Sequence, residues 1–148
     1  MLAREIMTRN VECVTPQDDL ARAARVMRDR DVGIVPVIEG ADGDVRLIGV
    51  VTDRDIAIRH VAEGHGPGCK VEEAMSRDHL VVAGPDDDVD AVMRQMREHQ
   101  VRRVPVVDDG RLVGIIAQAD LAIETSDDSA VGLTVERISE PAHARTHH

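Results

Sequence analysis

The sequence contains no phenylalanine, tyrosine or tryptophan. Its core must therefore be built from Val, Ile, Leu, Met and Ala, and a flat ligand has only aliphatic side chains to lie between. Single-stranded nucleic acid, which is held by stacking bases on aromatic rings, is a poor fit. Positive charge is scarce as well: 18 Lys and Arg against 28 Asp and Glu leave a formal net charge of −10. Most of such a surface repels a phosphate backbone, so nucleic acid is not an expected partner, although a local cationic pocket is compatible with the count. No apolar run reaches about 18 residues, so no membrane-spanning helix is expected. The opening MLAREIMTRN lacks the apolar stretch of a secretory signal. The two cysteines, Cys13 and Cys69, suit a reducing cytoplasm better than a disulfide framework. There is no P-loop, paired-carboxylate motif or Ser-His-acid order, and Cys13 has no base near it in sequence. The expectation is a cytoplasmic protein that is not an enzyme.

What the chain does have is the same pattern written twice. Met7-Thr8-Arg9 returns as Met75-Ser76-Arg77, Pro16 as Pro85, Val35-Pro36-Val37 as Val104-Pro105-Val106, and GVVTDRD (Gly49 to Asp55) as GIIAQAD (Gly114 to Asp120). The offset falls from 69 to 65 between the last two because the loop GADGDV in the first copy shrinks to DG in the second, a loop deletion of four residues that leaves the elements intact. With 43% apolar residues, each copy has material for a core.

Each copy reads as β-α-β-β-α behind a short leading helix. Short strands are predicted at Val11 to Val14 and Leu80 to Ala83. Thr15-Pro16-Gln17-Asp18 reads as a helix start, with a cap and a proline at the first helical position. Leu20, Ala23, Ala24 and Met27 follow at helical spacing, matched by Val89, Val92, Met93 and Met96. Arg22, Arg25, Arg28 and Asp29 fill the opposite face. Asp86, Asp87 and Asp88 read as the charged first turn of the second copy's helix. Hairpins are predicted from Ile34 to Ile38 with Leu47 to Val51, and from Arg103 to Val107 with Leu112 to Ile116, the latter turning at Asp109-Gly110. A further helix begins near Thr52 and near Ala117. The expected boundaries are 1–64 and 71–125 for the copies and 65–70 for a linker. The tail, 126–148, is expected to carry a short helix over 130–139, through Val131, Val135 and Ile138, and then disorder.

Doubled β-α-β-β-α units, a VPV on the first hairpin strand of each, a G-h-h-T-x-x-D closing the second strand, and the RRVPV of Arg102 to Val106 together resemble the cystathionine-β-synthase (CBS) domain pair, or Bateman module. The likeness covers about residues 2–125 and is nearest to the stand-alone bacterial CBS-pair proteins. It implies an α/β (α+β) fold with the repeats packed in pseudo-two-fold symmetry. It further implies a non-catalytic regulatory module that binds adenosine-type ligands (AMP, ADP, ATP or S-adenosylmethionine) between the repeats, a homodimer, and an effector protein that the sequence does not name. Carried over, Asp55 takes the ribose hydroxyls, Thr52 helps place the phosphate, and Arg103 reaches the phosphates of the same ligand. The other site would use Asp120, but Ala117 replaces the threonine and Ile34 stands where a cation would be, so it reads as lost or weakened.

Plainer readings stand beside these. Thr52 and Asp55 are spaced as a helix-capping box, and Arg102 and Arg103 suit a solvated strand end, of which alternation turns only one toward a given face. His60, His65 and Cys69 are spaced H-x4-H-x3-C in the glycine-rich stretch HVAEGHGPGCK. The residue types are metal ligands, but the spacing matches no established zinc motif, and incidental linker residues are the preferred reading. The terminal His143, His147 and His148 are adventitious metal binders at most, and the expectation is no resident metal or cofactor. Met27, Met75, Met93 and Met96 read as core filler. The competing functional reading is an interaction or structural homodimer with decayed nucleotide sites, with a metal or redox link through His65 and Cys69.

Overall fold

The computed structural model describes residues 1–124. The expected tail features, including the helix over 130–139 and the terminal histidines, lie outside the described residues. The elements are α1 (Ala3–Ile6), α2 (Leu20–Arg30), β1 (Ile34–Glu39), β2 (Arg46–Thr52), α3 (Asp53–Asp55, continuing as a π-helical segment Ile56–Val61), α4 (Val89–His99), β3 (Arg103–Asp108), β4 (Arg111–Ala117) and α5 (Gln118–Glu124), with a 3-10 turn at Val71–Glu73 before the second copy. This is the mixed helix-and-strand architecture expected, built on antiparallel hairpins.

The chain forms two compact units, and they do not follow the order of the repeats. The first unit is Glu12–Leu80; the second joins Met1–Val11 to the described residues from Val81 to Glu124. The leading segment of each copy is thus built into the unit that holds the other copy's helix and hairpin. In the second unit, Ala3 and Arg4 donate their N–H groups to the carbonyls of Asp87 and Pro85, and Val89 donates to Met1. In the first unit the equivalent bonds recur: Val71 to Asp18, Glu72 to Pro16, Leu20 to Cys69. Ala3 and Ile6 are buried among Val89, Val92, Met96 and Ile116. Val71, Ala74 and Met75 are buried among Leu20, Ala23, Val26 and Val51.

The long helices start later than the sequence suggests. Thr15 to Asp18 closes a turn of its own, with the Thr15 N–H on Asp18 Oδ2 at 2.8 Å and the Asp18 N–H on the Thr15 carbonyl at 3.1 Å. The cap of α2 is Asp19, whose Oδ1 accepts from the Arg22 N–H at 2.9 Å. In the second copy Asp87 closes the same turn onto Gly84 and Asp88 caps α4, so Asp86 to Asp88 precede the helix rather than form its first turn. Short aspartate side chains bond neighbouring backbone N–H groups readily, which is why they favour turns and caps over helix interiors. The buried stripe of α4 is the expected one, whereas α2 buries Leu20, Ala23 and Val26 and exposes Ala24.

The predicted strands at Val11 to Val14 and Leu80 to Ala83 reduce to one bridging residue each, Val14 beside Val37 and Ala83 beside Val106. Proline is the reason. Val14 donates to the Pro36 carbonyl and accepts from Ile38. The next parallel bonds would need N–H groups from Pro36 on one side and Pro16 on the other, and neither has one. Pro105 and Pro85 frame Ala83 in the same way, with Ala83 donating to Pro105 and accepting from Val107. Both hairpins have the expected extent to within a residue and carry an irregularity at the same place, Val37/Ile38 and Val106/Val107. The second turns through Asp109 and Gly110, both at positive φ (51° and 82°), as a two-residue hairpin of this handedness requires.

The repeated glycine is required by a close approach. Val50 and Ser76 exchange both backbone hydrogen bonds (3.0 and 2.8 Å), as do Ile115 and Thr8 (2.8 and 2.9 Å). A β-carbon on Gly49 would lie 2.6 Å from the Ser76 carbonyl oxygen; one on Gly114 would meet Met7 Sδ at 2.6 Å and the Thr8 carbonyl oxygen at 2.9 Å. Backbone cannot yield as a thioether can. Gly49→Ala should therefore destabilise the protein by roughly 1–3 kcal/mol, and by at least as much as Gly114→Ala, measured by urea denaturation of each variant.

Candidate functional site

The doubled phrase GVVTDRD/GIIAQAD ends β2 and β4 and opens α3 and α5. In the first unit Thr52 is in the extended conformation and caps α3. Its Oγ1 accepts from the Asp55 N–H at 3.0 Å, and Asp55 Oδ2 accepts from the Thr52 N–H at 3.1 Å. This is a complete capping box. Ser76 Oγ donates to the same Oδ2 at 3.5 Å, and Arg59, one turn on, stands 3.7 Å from Oδ1. The Asp55 side chain is 13% exposed. The carboxylate is thus held in one orientation by its Oδ2, while Oδ1 faces the long ion pair with Arg59.

The second unit keeps half of this box. Asp120 Oδ2 accepts from the Ala117 N–H at 3.0 Å, while Ala117 offers no hydroxyl in return. The retained acid in the blunted copy therefore has a local task that needs no ligand. Arg103 heads β3 and lies across the hairpin from Ala117, as Ile34 lies across from Thr52 in the first unit. The Arg102 carbonyl accepts from the Gln118 N–H at 2.9 Å, tying the start of β3 to the start of α5. Of the expected site residues, Thr52 and Asp55 are joined in the first unit, and Arg103 and Asp120 belong to the second. Ser76 and Arg59, which brace Asp55, escaped the sequence reading; the only hint was the M-T-R/M-S-R phrase ahead of each copy.

The glycine-rich stretch is more ordered than a linker reading implies. His60 lies in the last turn of the π-helical segment and is 1% exposed. Its Nε2 lies 3.0 Å from the Gly66 carbonyl oxygen, and its Nδ1 is buried with no hydrogen-bond partner among the described residues. Such an orphaned acceptor costs about 1–3 kcal/mol. The loop then docks on the start of α2, with Leu20 donating to the Cys69 carbonyl and Ala21 to that of Pro67. His60, His65 and Cys69 come together, each offering a ligand atom within 4.8 Å of the others. Both cysteines are free thiols. Burial, with Glu12 adding to it, pushes the Cys13 thiol up to about 11, so it stays protonated near neutral pH and is a poor nucleophile. No helix among the described residues is long and apolar enough to cross a membrane.

The CBS domain model matches the chain twice, over residues 3–60 and 71–126. Hypoxic response protein 1 of Mycobacterium tuberculosis is 40% identical over 120 residues, covering 81% of this chain and 82% of that protein. The CBS domain-containing protein YhcV of Bacillus subtilis is 37% identical over 136 residues, 92% of this chain and 94% of that one. Among solved structures, Hypoxic Response Protein I with two coordinated zinc ions superposes with a TM-score of 0.73 at 38% identity, covering 84% of this chain and 99% of that one. The CBS domain pair of protein MJ0100 in complex with 5′-methylthioadenosine and S-adenosyl-L-methionine gives 0.64 at 28% identity, covering 83% and 94%.

The difference between the two boxes is open to direct measurement. Thr52→Ala should lower stability by about 0.5–2 kcal/mol, the usual worth of a threonine cap, and Ala117→Thr should raise it by a few tenths to about 1 kcal/mol by completing the second box. Thermal melts of the two variants against the parent chain would show opposite shifts.

Proposed function

The chain belongs to the CBS domain family, as a CBS pair, and we propose that it is a non-catalytic regulatory module that binds an adenosine-type ligand through Asp55. The observation that carries this reading is the fixed Asp55 carboxylate: the capping box and Ser76 hold Oδ2, and Oδ1 keeps capacity to accept from vicinal hydroxyls. The likeness to a CBS pair solved with 5′-methylthioadenosine and S-adenosyl-L-methionine supports the ligand class. In this reading Asp55 takes the ribose, Thr52 assists, and Arg103 serves the phosphates of AMP, ADP or ATP, an assignment that rests on the family resemblance. Asp120 has Ala117 where Asp55 has the Thr52 hydroxyl, and its site is the weaker one in this reading. The module acts on a partner protein or on its own assembly, in the cytoplasm.

Isothermal titration with AMP, ATP and S-adenosylmethionine tests this. Charge-assisted bonds are worth roughly 1.5–3 kcal/mol, so Asp55→Ala should weaken binding about tenfold or more. Arg103→Ala should cost more for ATP than for adenosine, and Asp120→Ala should change little. Melting temperatures of the variants separate lost binding from lost capping. Absence of heat with all of these ligands would leave Thr52 and Asp55 with the capping role alone.

We infer a homodimer as the working state. The supporting feature is exposed apolar surface on the π-helical segment, where Ile58 and Val61 are 48% and 62% exposed, together with the prevalence of two-fold pairs among oligomers. Light scattering at micromolar concentration should give twice the chain mass, and Ile58→Glu with Val61→Glu should give the monomer; a parent chain of monomer mass would refute the inference.

A further inference from the structure

We propose that His60, His65 and Cys69 form a binding site for one zinc ion, independent of the adenosine reading. The three residues offer ligand atoms that all lie within 4.8 Å of one another, and they are the only such group among the described residues. In a tetrahedral site with Zn–N near 2.0–2.1 Å and Zn–S near 2.3 Å, ligand atoms stand roughly 3.3–3.8 Å apart. The cluster therefore needs only about an ångström of closure. His65 is exposed and Cys69 half-buried, in a loop whose Gly66 and Gly68 have open space where a β-carbon would be, so side chains and loop have room to close.

His60 is the strongest sign that the cluster is built rather than incidental. A carbonyl oxygen can only accept, so the bond at 3.0 Å to Gly66 places the ring proton on Nε2. Nδ1 is then left as a lone pair, buried, and without a donor. A metal-bound histidine has this arrangement: one nitrogen ligates while the other donates to a carbonyl that fixes tautomer and orientation. The His65 ring stands edge-on to His60, with centroids 4.9 Å apart. The His65 N–H also donates to the His60 carbonyl at 3.0 Å, which folds the loop back over the buried imidazole. The π-helical turn that delivers His60 is a distortion found frequently at functional sites.

Two imidazoles and a thiolate suit zinc, and the carboxylate-loving hard cations poorly. The exposed side of the cluster leaves the fourth position to water. Because the Cys69 and Pro67 carbonyls are hydrogen-bonded to the first turn of α2, the ion would clip the end of the π-helical segment to the start of α2. It would thereby stabilise the first unit. This turns the preferred reading of the bare sequence, incidental linker histidines, into its opposite.

The test uses the full-length chain carrying His143→Gln, His147→Gln and His148→Gln, which removes the terminal imidazoles. Zinc is titrated against a competing chelator, bound metal is counted by mass spectrometry, and cobalt(II) replaces zinc as a spectroscopic probe. The expected result is one zinc per chain, a thiolate-to-cobalt charge-transfer band, and a higher melting temperature with zinc. His65→Ala and Cys69→Ser should each weaken binding by about 100-fold or more, since loss of a mere supporting residue already costs 10–100-fold. Cys69→Ser should also abolish the charge-transfer band, and Cys13→Ser should leave binding unchanged. His65 and Cys69 are not core residues, so these variants remain folded and the outcome is readable even if His60→Ala does not fold. Substoichiometric zinc in the parent, or one zinc retained in the His65→Ala, Cys69→Ser double variant, would overturn the proposal.

Discussion

Two backbone carbonyls lie closer to the hairpins than any side chain would allow. The oxygen of Ser76 would stand 2.6 Å from a β-carbon on residue 49, and that of Thr8 2.9 Å from one on residue 114. Those contacts are what admit the leading segments as extra pairing partners of β2 and β4, through Val50–Ser76 and Ile115–Thr8. With the segments seated, Ala3 and Ile6 close one aliphatic core, and Val71, Ala74 and Met75 the other. Without aromatic rings, neither core has a large residue to spare. Each depends on a dense set of small apolar side chains, in which loss of a few is felt strongly.

The repeated motifs occupy structurally different roles that their spelling does not separate. VPV places a proline where a third strand would otherwise continue, so the strand stops after one residue. The glycine admits a neighbouring backbone, and the final aspartate accepts the backbone N–H at the start of its helix in both copies. Only the threonine differs in consequence, completing the box at Thr52 and leaving it half-made at Ala117. The blunted second phrase therefore keeps what folding requires and loses a hydroxyl that folding tolerates losing.

Hairpin extents, the glycine-rich loop, the apolar stripe of α4 and the repeat itself were legible because they rest on local periodicity and turn chemistry. The start of α2 was not: Thr15 and Asp18 spell a cap as well as they spell a turn, and the competition is decided by Asp19 and by the docking of Leu20 on Cys69. The π-helical segment leaves no periodic signature in six residues. His60 read as one more incidental residue of the glycine-rich stretch because burial is a tertiary fact, and its unpartnered Nδ1 exists only in three dimensions. In the first unit the capped carboxylate of Asp55 and the buried imidazole of His60 stand at opposite ends of one short helical segment, Asp53 to Val61.

Among the described residues the chain crosses between its two units twice, after Val11 and after Leu80. A gene encoding just one copy of the repeat could not reproduce these contacts within a single polypeptide, because the leading segment that each hairpin accepts belongs to the other copy. Such an ancestor would have had to borrow it from a second molecule, as partners do in a domain-swapped dimer. Duplication and fusion would then have converted an exchange between molecules into one within a single chain. That conversion freed the copies to diverge: once the two halves no longer had to be identical, one could keep its threonine and the other let it go.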